Sequence, residues 1–148
     1  MPAPSTRFTE QAAQRFSAAI ADAGGIEVFA VGRLDAEGWV ADIEVHCRGN
    51  RQAVPALLRA PRPGEVVIHN HPSGVLEASA ADLHLAGLYG EDGVGMVITD
   101  NAVARALWVV EPHRRVRRPV DLEQVRRSAR PGSWAARHLA TELAALRD

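Results

Sequence analysis

The chain has 148 residues, 47% hydrophobic and 24% charged, with a formal net charge of −1. That length and balance fit one folded domain with a buried core and exclude disorder. Near-neutral charge excludes a global field that would draw nucleic acid or a membrane, and Cys47, as the single cysteine, excludes an internal disulfide and a cysteine-based zinc site.

All seventeen basic residues are arginine. The opening residues lack an apolar run of signal-peptide length, and no segment approaches a membrane span, so a cytoplasmic location is expected. In residues 9–23, Ala13, Phe16 and Ile20 recur at helical spacing, and Gly24-Gly25 stops the pattern. Residues 26–34 are strand-like, Asp35-Ala36-Glu37-Gly38 predicts a hairpin turn, and 39–45 is the return strand. Cys47, just after that alternation, reads as a small buried hydrophobe. As a nucleophile it would need a base, and the adjacent His46 points to the other side of a strand.

A short helix is expected over 51–59, with Val54, Leu57 and Leu58 on its apolar side and Pro61-Arg62-Pro63-Gly64 after it. Residues 65–69 form a short strand, 79–90 a helix carrying Leu83, Leu85, Ala86 and Leu88, and 94–99 and 104–110 two further strands joined at Asp100-Asn101. This order predicts an α/β fold: a mixed sheet with helices against its faces, ending near residue 111. Residues 112–118 are a basic run, and two helical pieces over 120–129 and 133–146 flank Arg130-Pro131-Gly132. Such a run reads as a solvated linker or as a salt-sensitive phosphate contact, and no interleaved aromatics favour base stacking.

The chemistry concentrates in residues 69–82. His69 and His71 are two apart, so on a strand they share a face. Asp82 follows a Pro72-Ser73-Gly74 turn, just inside the next helix. Two imidazoles and a carboxylate leave one position open on a tetrahedral zinc ion, the arrangement of a catalytic site. Each part also has a plainer reading. A His-x-His pair can be two exposed polar residues, and Ser79-Ala80-Ala81-Asp82 is a capping-box variant with Ser79 at the N-cap. The two roles of Asp82 are compatible, because a first-turn carboxylate keeps an oxygen free. The remaining histidines, His46, His84, His113 and His138, read as surface residues.

His69-x-His71-Pro72, six residues, then Ser79-x-x-Asp82 resembles the JAMM (MPN+) metalloprotease motif at every defined position. The form His69-Asn70-His71-Pro72-Ser73-Gly74 looks most like the RadC-like bacterial branch of that superfamily. The resemblance covers about residues 10–111 and implies a JAMM-like (cytidine-deaminase-like) α/β/α domain over 1–111; the Arg-rich linker and helical tail over 112–148 lie outside it. It also implies that His69, His71 and Asp82 hold Zn²⁺, and that Ser79 positions the attacking water or stabilises the oxyanion. The family uses a glutamate on an upstream strand as general acid/base. The matching residue here is Glu27, on the apolar face of Phe29 and Val31, with Glu65 and Glu77 as alternatives.

The activity implied is hydrolysis of a peptide or isopeptide bond, with protein or ubiquitin-like modifier conjugates as substrates. A second reading is a RadC-like module serving DNA repair, whose residues 112–148 join a nucleic-acid-handling partner or a second copy. A third is a zinc hydrolase for a small amide.

Overall fold

The computed structural model describes residues 2–48 and 59–114. The helix expected over 51–59, apart from Arg59, lies outside the described residues. So do the tail helices, His138 and the basic run beyond Arg114.

Helix α1 spans Glu10–Asp22. Thr9 caps it by accepting the Ala12 amide at 3.2 Å, and Gly24 and Gly25 follow it with φ of 82° and 79°. Only glycine adopts such angles freely, so the chain turns out of the helix there. The buried residues Ala12, Ala13, Phe16 and Ile20 make one stripe, which packs on a sheet.

That sheet has five strands: β1 (Val28–Leu34), β2 (Val40–Arg48), β3 (Val66–Asn70), β4 (Gly95–Thr99) and β5 (Ala106–Val110). Their order is β2-β1-β3-β4-β5. Only the β3–β4 pair is parallel, and helix α2 (Ala80–Glu91) makes the crossover between them. The β1–β2 turn is held by Asp35, whose Oδ1 accepts the Glu37 and Trp39 amides at 2.9 and 3.0 Å.

Every residue of β3 and β4 is buried, as central strands covered on both faces require. Val28, Ala30, Val66, Ile68 and Val97 form one core with Phe16 and Ile20 of α1. By alternation Phe29, Val31, Val67, His69 and Ile98 face the opposite way, toward α2. Gly32 lets the strands close up, since a Cβ there would lie 2.7 Å from Ile68 Cδ1. Ahead of α1, Phe8 bridges Val40 on the outer edge of β2, and the backbone bonds Val40 N to Arg7 O and Thr9 N to Val40 O flank it. Arg7 also stacks over Trp108 of β5 and forks onto Glu111 at 2.7 and 2.8 Å.

Three boundaries differ from expectation by two residues or more. β1 starts two residues later than 26, β5 starts at Ala106, and β2 runs on past 45 to Arg48. The extension of β2 carries His46 into the sheet, where it is 7% exposed rather than a surface residue. It is stabilised there because pairing with β1 continues to Val28↔Arg48 across an irregularity between Phe29 and Ala30. Helix α2 is apolar nearly all round, yet it buries only Asp82 and Ala86, leaving Leu83 and Leu88 exposed. Among the described residues, no helix is long and apolar enough to cross a membrane.

Candidate metal centre

The carboxyl end of β3 delivers the two imidazoles. His69 lies in the strand, and His71 is one residue past its end. The His71 amide donates to Thr99 O at 2.8 Å, which prolongs the β3–β4 ladder and keeps both histidines on the α2 face. The ring centroids are 5.3 Å apart, and Phe29 stacks on His69 from β1.

The loop after His71 fixes its ring. Gly74, at φ 78°, donates to His71 O at 2.9 Å, and Arg105 Nη2 donates to Gly74 O at 2.7 Å. This places the Val75 carbonyl 3.0 Å from His71 Nδ1. A carbonyl only accepts, so Nδ1 carries a hydrogen, and Nε2, 3.2 Å from Asp82 Oδ2, is the nitrogen turned to the site. An outer acceptor of this kind is how metal-ligating histidines are oriented.

Helix α2 brings the carboxylate. Ser79 Oγ accepts the Asp82 amide at 3.1 Å, and Asp82 Oδ2 accepts the Ser79 amide at 2.9 Å, a reciprocal capping box. The same carboxylate reaches both rings: Oδ1 lies 3.0 Å from His69 Nε2, and Oδ2 lies 3.2 Å from His71 Nε2. Burial, the largest single influence, pushes the Asp82 pKa up. The His69 ring and the Ser79 amide and hydroxyl outweigh it, so the carboxyl is held well below its usual range and is ionised at neutral pH.

The His69 ring tests whether a metal fits. Its side chain is 2% exposed, and neither ring nitrogen has a hydrogen-bond partner. Nε2 is close to Asp82 Oδ1 without hydrogen-bond alignment, so the two donors converge on a common point beside them. Two ligands at ~2.0–2.1 Å from one tetrahedral zinc ion lie about 3.3 Å apart. The 3.0 and 3.2 Å separations are close to that, and the three donors all lie within 4.8 Å of one another. A buried imidazole that meets a carboxylate without hydrogen-bond alignment is poorly satisfied, and a cation at that point would serve both groups. His69, His71 and Asp82 could hold a metal ion, and two nitrogens with one oxygen suit zinc.

Glu27 stands one residue before β1 and is half-buried. The β1–β3 register pairs Phe29 with His69, and continuing it two residues sets Glu27 opposite His71. The other expected acids lie elsewhere. Glu65 sits at the far end of β3, gripped by Arg59 at 2.8 and 2.9 Å. Glu77 is exposed in the loop. Cys47 is half-buried, and burial first, then the Glu27 charge, raises its pKa, so it is a thiol rather than a nucleophile.

Ser79 is exposed, and its hydroxyl accepts from Asp82 while keeping a hydrogen to donate. The Val75 carbonyl and the Asn70 side chain were not readable beforehand. A polar residue between two histidines on a fully buried strand was the signal available for Asn70. No protein-family model matches this chain, and no curated protein matches it.

Proposed function

We propose that the chain is a zinc-dependent metallopeptidase of the JAMM (MPN+) kind, cleaving a peptide or isopeptide bond, with ubiquitin-like modifier conjugates as the substrate class. The carrying observation is the convergence of His69, His71 and Asp82 on one point, with a buried His69 ring that has no hydrogen-bond partner. A zinc ion held by these three side chains would supply a Lewis acid able to lower the pKa of water from ~15.7 to about 7.

The protein's own groups divide the remaining work. The Glu27 carboxylate takes a proton from the attacking water and returns it to the leaving amine. The Ser79 hydroxyl, fixed by its bond to the Asp82 amide, donates to the oxyanion, and a single such donor is worth roughly 3–4 kcal/mol. The Val75 carbonyl holds the His71 tautomer. Phe29, stacked on His69, keeps water from that ring.

The test is metal analysis of the purified protein, with turnover of a modifier-linked substrate by wild type and Glu27→Gln. Stoichiometric zinc in both proteins is expected, with turnover reduced roughly 10²- to 10⁴-fold in the variant. Retained zinc with unchanged turnover removes Glu27 from the chemistry, and a wild type that takes up no metal sinks the whole reading.

A further inference from the structure

We infer that Asn70 is a positioning residue for Glu27, acting from the opposite face of β3 to the ligands; the inference rests on the hydrolytic reading of the same site. The backbone ladder between β1 and β3 runs from Gly32↔Val66 to Phe29↔His69 and then stops. Glu27 lies beyond it, where no bond from that ladder fixes the chain. The Asn70 carboxamide takes over there. Its Oδ1 accepts the Val28 amide at 2.7 Å, and its Nδ2 donates to Ile26 O at 3.1 Å. One side chain therefore holds the backbone on both sides of Glu27.

The arrangement leaves the carboxamide little freedom. Asn70 is 0% exposed, and the second Nδ2 hydrogen goes to Asn101 Oδ1 at 2.8 Å. Oδ1 faces an N–H and Nδ2 faces two oxygens, so the flipped amide would misplace every bond. Asn101, in the β4–β5 turn, also donates to Gly25 O at 3.2 Å. The approach to Glu27 is thus tied at Gly25, Ile26 and Val28 to one asparagine pair. Within His69-Asn70-His71, alternation sends two ligands to one face and the clamp to the other. A general base about 1 Å out of place loses on the order of 100-fold in rate, which is why such a clamp matters.

The experiment compares wild type, Asn70→Ala, Glu27→Gln and the double variant. Three readouts apply: kcat and KM on a modifier-linked substrate, the visible spectrum of the protein loaded with Co²⁺ alone, and amide exchange at Val28. Asn70→Ala is expected to bind Co²⁺ with wild-type stoichiometry and to lose roughly 10- to 100-fold in kcat at unchanged KM. Val28 should exchange faster, and the cobalt bands should shift as they do in Glu27→Gln. Adding Asn70→Ala to Glu27→Gln should change neither kcat nor the bands further.

Fully additive losses, or a wild-type kcat and spectrum alongside a labile Val28 amide, overturn the inference. If Asn70→Ala does not fold, Asn101→Ala removes the acceptor that orients the Asn70 carboxamide and leaves its bonds to Val28 and Ile26. It should show the same pattern at smaller amplitude, and wild-type values there count against the inference. A wild type that binds Co²⁺ but turns nothing over defeats the peptidase reading, while the spectral and exchange comparisons still decide the role of Asn70.

Discussion

At the Asp82 side chain, folding and chemistry share two oxygen atoms. Oδ2 closes the capping box on Ser79, and both oxygens approach the imidazoles. Removing the whole group would confuse the two roles, but Asp82→Asn separates them, keeping an oxygen for the Ser79 amide while losing the charge. With both proteins metal-free, the variant should keep its cap and fold, at a stability cost above the ~1 kcal/mol of a bare first-turn charge, because the fold favours the ionised Asp82 carboxyl. Its zinc affinity, measured by chelator competition, should fall by more than the roughly 10- to 100-fold that follows loss of an outer partner. Equal affinity in the two proteins would take Asp82 out of the ligand set.

Strand β3 carries the ligands at one end and a charge cluster at the other. Glu65, ahead of its first residue, accepts from Arg59 and from the Arg62 amide at 2.7 Å, with Arg33 at 3.5 Å. The Arg59 guanidinium leads these influences, and against the opposing push of burial they lower the carboxyl from 4.5 to about 2. The folded protein therefore releases this proton more readily than the unfolded chain. The stabilisation is complete above about pH 4.5 and is lost as pH falls from there toward 2. Glu65→Gln is expected to cost on the order of 3 kcal/mol at pH 7, with the deficit shrinking in urea titrations at pH 3. A deficit independent of pH would assign the effect to packing instead.

The elements themselves were legible where one periodicity was local: Ala13, Phe16 and Ile20 mark α1, and the fully apolar run Val66–Ile68 marks a covered strand. His46 was misread because nothing in its neighbourhood reveals how far β2 keeps pairing with β1.

Across the whole molecule, the ligands were readable because His69, His71 and Asp82 fall within a single β3–α2–β4 passage, where spacing stands in for geometry. Glu27 and Asn70 meet only through the β1–β3 register, which joins segments about forty residues apart, and the sequence does not state a register. Distant segments also meet at the start of the chain, where residues 7–9 pair with Val40 at the beginning of the free side of β2 and Arg7 grips β5. An uncovered strand border offers unpaired amides and carbonyls to any other chain. A protein lacking residues 2–8 should therefore self-associate as its concentration rises, visible as growing mass in sedimentation, whereas a strictly monomeric product would mean that the border needs no cover. Those few residues close the free border of β2 at its first residue, Val40.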